Sequence, residues 1–329
     1  MSGKEGVQTL NDEKQEQRIE DPFDIFSVPA INTDYEKFED HYIEPSNNIT
    51  QTGPIVFEFG TGGGEKWDSN FTELETEYEI HKAGTKTLEA DDISVINSLP
   101  ITHYEKIEVK MNDKIVTNSS SGNHAYHAYF QQKFTYSKSV KKDILKRTEL
   151  YYEEDADKVN QISKAGGDDT PFTQKHKLFV EQVKPVISRT QLYLDIANVH
   201  KYYPTDIDYV VTFTRNTESF CLMGISALDG IYKIVIKKIR LIIRKIIPSS
   251  NMIEKERAFM EAKRTAYIPY THGIMTSQLM QEGTMTKTFR DVCAVGTLPK
   301  QLFVFLIDHQ AYAGKESFIN SRWRGDHNI

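Results

Sequence analysis

Along residues 208–214, alternation of apolar and polar positions dominates, broken only at Val210. Tyr209, Val211 and Phe213 therefore share one face, the period-two signature of a half-buried strand. The segment 232–247 obeys two periods at once. Wound as a helix, it sets Lys233, Lys237, Arg240 and Arg244 apart from Val235, Ile239, Ile242 and Ile246, a pattern that suits a basic amphipathic helix on a membrane surface. About half of its residues, however, are Ile or Val, whose branched Cβ favours a pleated surface. The reading is a long strand, and the slip in alternation at Ile236-Lys237 predicts a bulge.

The same patterning organises the rest of the chain. Residues 54–59 predict a strand ended by the glycine cluster 60–64, and 71–81 predicts a second whose weak alternation leaves one face wet. Asp91-Asp92 reads as a helix start ahead of 93–99. Residues 104–109 and 115–116 flank a hairpin-like turn at 111–114. Between 123 and 183 the period changes: 125–134, 138–152 and 172–183 predict helices around an acidic, glycine-bearing loop at 153–169. Strand patterning resumes at 191–199, with Leu192, Leu194 and Ile196 on one face. Past Pro248, Asn251 and Glu254 have capping-box spacing and predict a helix over 251–264. Residues 267–279, 285–295 and 302–307 predict three more strands.

Composition narrows the function classes. The 329 residues have room for about two domains. The formal charge of -7 argues against a protein that grips nucleic acid by net basicity. Two cysteines, Cys221 and Cys293, form neither a metal motif nor a disulfide framework and point to a reducing compartment, so the sequons at Asn48, Asn70 and Asn118 are expected to stay unmodified. No apolar run approaches the ~20 residues that span a bilayer. Residues 1–20 are charged and poor in aromatics, which predicts disorder.

Candidate chemistry is sparse. Gly60-Thr-Gly-Gly-Gly-Glu-Lys66 lacks the hydroxyl ending and the following helix of a phosphate loop. His124 and His127 lie one helical turn apart with His103 elsewhere, short of the three or four converging ligands a metal needs. Cys221 sits among Phe220, Leu222 and Met223, an apolar setting for an inert thiol. Asp91-Asp92 and Asp168-Asp169 are adjacent carboxylates in loops, and Asp308-His309 has no nucleophile in sight. No catalytic, cofactor-binding or metal-ligating set is expected. The basic segment 233–245 invites lipid or nucleic acid, against the plainer reading of a strand that buries its apolar side and solvates its lysines.

One resemblance is specific. The run Asp208-Tyr-Val-Val-Thr-Phe-Thr214 continuing to Met223, followed by 232–246, resembles the major capsid proteins of Polinton/Maverick elements and adintoviruses. Asp24-Ile-Phe-Ser-Val-Pro29, Gly122-Asn-His-Ala-Tyr-His-Ala-Tyr129 and Gly296-Thr-Leu-Pro-Lys-Gln-Leu-Phe-Val-Phe305 agree in order. The resemblance implies a mainly β, double jelly-roll subunit that trimerises into pseudo-hexameric capsomers of an icosahedral shell, beside a minor or penton capsid protein. It places the protein in a virion, assembled in the host nucleus or cytoplasm. Direct nucleic-acid contact is not expected, and membrane contact is the weaker alternative.

The expected divisions are an arm at 1–50, a first roll at 51–247 with a helical insertion at 123–183, a connector helix at 248–265 and a partial second roll at 266–329. About three strands of that second roll are expected, which suggests truncation. The competing class is a non-catalytic β-sandwich module that binds protein or glycan through the insertion. An enzyme ranks third.

Overall fold

The computed structural model describes residues 34–85, 91–117, 123–152, 170–181, 185–199, 201–224, 230–275, 277–281, 286, 288 and 299–304. Eight strands carry the fold: β1 (Tyr35–Ile43), β2 (Ile55–Thr61), β3 (Lys66–Lys82), β4 (Tyr104–Met111), β5 (Lys114–Ile115), β6 (Val186–Gln191), β7 (Ile207–Arg215) and β8 (Tyr232–Pro248). They form two four-stranded antiparallel sheets, ordered β1-β8-β3-β6 and β2-β7-β4-β5. Except at the β4–β5 hairpin, the chain changes sheet at every step. That winding is a jelly roll, in which two Greek keys close on each other. A further two-residue pair, Ser94–Val95 with Leu222–Met223, lies outside both sheets.

The inward rows meet in one core. Tyr209, Val211 and Phe213 of β7 face inward and are buried, as their alternation predicts. Phe57 meets Phe213 edge-on at 5.6 Å, and Trp67 meets Tyr209 at 4.8 Å, geometries that suit the ring quadrupoles. Trp67 satisfies its indole N–H on Thr72 Oγ1 at 2.9 Å. β8 supplies Ile234, Ile236, Ile239, Leu241 and Ile243 to the same core. Its register against β3 shifts between Ile236 and Lys238, so the slip in alternation is a bulge that returns the isoleucines to the inner face. At the β4–β5 turn Asn112 and Asp113 both have positive φ (44° and 66°), the type I′ geometry that matches strand twist.

The described residues between 123 and 181 are largely helical and join neither sheet. They include the helix His124–Thr135, a helical run over 138–148 and another over 171–181. Asn97 holds the end of the second run, donating to Tyr152 O at 2.7 Å and accepting from Tyr152 N–H at 2.6 Å.

Several expectations need correction. β1 falls within the residues assigned to the arm; as an edge strand with charged residues on both faces, it lacks clean alternation. The strand expected at 191–199 ends at Gln191, where β6 stops. Tyr193 has φ 49° and Asp195–Ala197 forms a 3₁₀ turn, so the buried Leu192, Leu194 and Ile196 line irregular chain. The helix start is Ser249, not Asn251, and the helix spans Ser250–Glu261. The described residues of 267–279 pair with no strand. Residues 285–295, apart from 286 and 288, lie outside the described residues, as do 1–33 and 305–329; 302–304 carries no strand.

Candidate interaction surfaces

The basic segment lies on β8, and its bulge decides what the cations do. Beyond it, Arg240, Ile242, Arg244 and Ile246 form the outward row. Arg240 Nε donates to Glu75 Oε1 across the ladder at 2.7 Å. Arg244 makes a bidentate pair with Asp40 of β1, Nε to Oδ1 at 2.7 Å and Nη2 to Oδ2 at 3.1 Å. That hydrogen bond holds the Asp40 carboxyl below its ordinary range. Lys245 pairs with Glu65 at 2.7 Å. The arginine planes also lie on rings, Arg240 on Tyr42 at 4.6 Å and Arg244 on Phe38 and Phe71 at 4.8 and 4.0 Å. Beneath this layer Ile242 and Ile246 are buried on the outer face of the sheet, apart from the main core. Both arginines are thus committed to carboxylates and rings, while Lys233, Lys237 and Lys238 are exposed. The outer face is a ladder of ion pairs with half-exposed Phe38, Tyr42 and Phe71.

The histidines separate. His103 is buried at the sheet junction, 5.8 Å from the Tyr78 ring and 5.2 Å from Tyr104, with neither ring nitrogen hydrogen-bonded. Burial first, then the nearby Arg215, pushes its pKa down to about 3. His124 is likewise depressed to about 3, by burial and then by His127. His127 lies beside two groups that sequence reasoning missed, Asp195 and His272, which hydrogen-bond each other at 2.7 Å. Their separation of 77 residues gave no local pattern to find. Among the described residues no group of three or more His, Cys, Asp or Glu side chains could hold a metal ion.

The segment 123–129 is a packing device. Ala125, Tyr126, Ala128 and Tyr129 are buried, and Tyr126 meets Phe220 at 5.8 Å while Tyr129 stacks on Tyr151 at 6.3 Å. One turn on, Gln132 accepts from Ser98 Oγ at 2.7 Å and donates to Glu149, which also accepts from Tyr193 OH at 2.7 Å. Burial raises the Glu149 pKa. This network pins the insertion to the roll.

The remaining candidates fall to structural roles. Gly63 and Gly64 have φ of 67° and 90° in the β2–β3 turn, and Gly64 faces Ile253 of the Ser250–Glu261 helix, with no phosphate-loop geometry. Cys221 is fully buried, and burial pushes its thiol well up, away from the reactive range. Asp91 forms an ion pair with Lys82 at 3.1 Å. Asn70 donates its amide to Val199 O. Asp168-Asp169 and Asp308-His309 lie outside the described residues. Among the described residues no helix is long and apolar enough to cross a membrane.

No protein-family model and no curated protein matches the chain. Among solved structures it is similar to the Sputnik virophage determined by cryo-EM, at 12% identity and a TM-score of 0.42 over 72% of this chain and 52% of that chain. It is similar also to the mavirus major capsid protein, at 12% identity and a TM-score of 0.34 over 75% of this chain and 53% of that one. A third likeness is PBCV-1 VP54 fitted into a reconstruction of Sputnik, at 10% identity and a TM-score of 0.32 over 70% and 46%. The chain thus spans about half the length of the solved chains to which it is similar.

Proposed function

We propose that this protein is a structural capsid subunit whose work is tiling rather than catalysis. The observation that carries the reading is the eight-strand roll itself, ordered β1-β8-β3-β6 and β2-β7-β4-β5, with a helical insertion on one rim. The sequence resemblance to Polinton/Maverick and adintovirus major capsid proteins supports the same reading and refines it. In the refined form, residues 35–248 are the first of two rolls, the Ser250–Glu261 helix leads toward the second, and three copies build a pseudo-hexameric capsomer. The partners are further copies of the chain and a minor or penton capsid protein, and the location is the virion after assembly in the host nucleus or cytoplasm. Symmetric self-association of this kind needs recurring complementary patches and no reactive centre.

The test is size-exclusion chromatography with light scattering on the full chain, followed by negative-stain microscopy. Trimers, and sheets or shells built from them, are the expected result. A monomer at every concentration, binding a glycan or a protein ligand through the insertion rim, would overturn the reading in favour of a β-sandwich binding module.

A further inference from the structure

Residues 264–275 leave the Ser250–Glu261 helix and run back, without strand pairing, over the rim made by the His124–Thr135 helix and the Asp195–Ala197 turn. The contacts that hold this strap are mainly side chain to backbone. A single Asp195 oxygen, Oδ2, bonds His272 Nδ1 at 2.7 Å and accepts from the Gly273 N–H at 2.9 Å. Lys201 Nζ donates to the Tyr267 carbonyl at 3.0 Å. His127 walls the far side, and a Cβ on residue 273 would stand 2.5 Å from its Nε2, so glycine is the residue that passes. Ile268 and Met275 pack against the core. The result is a groove that reads an extended chain by its main-chain donors and acceptors.

Nothing in that chemistry requires the strap to come from the same chain, and three features favour exchange. First, the Ser250–Glu261 helix buries none of its residues and is held to the roll by few contacts, the Lys66–Glu256 pair at 2.6 Å and the approach of Ile253 to Gly64. Second, the turn that folds the strap back is a Schellman motif with lysine in the glycine position. Lys263 N–H bonds Met260 O at 2.9 Å, Arg264 N–H bonds Phe259 O at 3.0 Å, and Lys263 has φ 51°. Letting the chain run straight on relieves that left-handed lysine. Third, folding back leaves Tyr267 75% and Ile274 53% exposed, apolar surface that a neighbouring copy would cover.

We propose that the strap is exchanged between copies of this chain, the 264–275 segment of one seated in the Asp195–His127–Lys201 groove of the next. The inference rests on the assembly reading and names the element that bridges subunits. Each exchanged strap ties two rolls together through a groove and occupant already seen within one chain, and brings the rolls close enough for the second copy to cover Tyr267 and Ile274.

The test is the full chain carrying His127→Cys and Gly273→Cys, with Cys293→Ser and Cys221 left buried, treated with a short bismaleimide. Substituting both positions removes the clash between residue 273 and His127. In self-associated samples the link is expected to join two chains, giving a band of twice the mass on a denaturing gel. Lys263→Gly, which removes the strain in the turn, is expected to shift the product several-fold toward the intrachain link. If the first pair loses its melting transition, Lys201→Cys with Tyr267→Cys reads the same geometry. Self-association by light scattering with intrachain links alone overturns the exchange and leaves the assembly reading standing. No self-association at any concentration overturns both.

Discussion

Arg244 reaches Asp40 on the neighbouring strand through two hydrogen bonds of 2.7 and 3.1 Å, from a slot between the rings of Phe38 and Phe71. The pair closes the outer layer over Ile242 and Ile246, which gives β8 apolar cover on both of its faces. An arginine in this place acts as packing as much as charge.

Arg244→Ala is therefore expected to destabilise the roll by about 1–2 kcal/mol, through lost ring contacts and exposed isoleucines. Arg244→Lys should recover less than half of that, since an ammonium can neither make the forked pair nor stack. Urea unfolding checks both, and a lysine variant as stable as the parent would refute the account. Because Arg244 depresses the Asp40 pKa, their contribution is present above the ordinary carboxyl range and is lost as pH falls below it.

His103 makes the roll sensitive to acid at a higher pH. Its pKa falls from 6.5 to about 3 on folding, so acidification charges the unfolded chain first. Stability is full above the ordinary value and is lost as pH falls toward 3. By pH 5, one and a half units below the ordinary value, the loss reaches about 2 kcal/mol. His124 adds in the same direction. His103→Leu should flatten this slope with little change at neutral pH, because neither ring nitrogen has a partner to lose. Unfolding midpoints at several pH values measure it, and an unchanged slope would refute the assignment.

Glu149 works in the opposite sense. Burial raises its pKa, so its contribution is full below the ordinary carboxyl value and is lost as pH rises through the raised one. Glu149→Gln is expected to remove that opposing effect while keeping an acceptor for the Tyr193 hydroxyl. Glu149→Ala leaves Tyr193 and Gln132 buried without their acceptor and should cost about 1–3 kcal/mol. Hydrogen exchange localises the effect: the amides of 138–148 should open first in the alanine variant, and uniform loss of protection would count against a local pin.

Cys221 is expected to resist thiol reagents in the native state and to react at the rate of unfolding, given its full burial and raised pKa. Labelling in a Cys293→Ser background reads it, and rapid native-state modification would refute the closed core.

What could be read from sequence divides along one physical line. β7 and β8 were legible because each turns an apolar row into the main core, and even the bulge announced itself as a break in alternation. At 191–199 the same cue misled, because Leu192, Leu194 and Ile196 are buried by tertiary packing on a backbone that Tyr193 bends out of the strand. In the basic segment the composition was legible but not the pairing. Asp40 lies 204 residues from Arg244, and Glu75 lies 165 from Arg240, separations at which no local pattern survives. The Asp195–His272 contact escaped for the same reason.

The first and last strands of the roll are neighbours, and this governs how the domain bears tension. Asp34 O accepts from Ser249 N–H at 2.9 Å, so the chain enters β1 and leaves β8 at a single corner of the sheet. A pull between those two points loads the β1–β8 ladder at its end, and its bonds break in succession from Asp34 toward Ile43, as a zip opens. A pull along the strands from opposite ends would have to shear the whole ladder at once. The roll is therefore compliant toward anything tethered through residues 34 and 249 and stiff toward a load that shears β1 along β8.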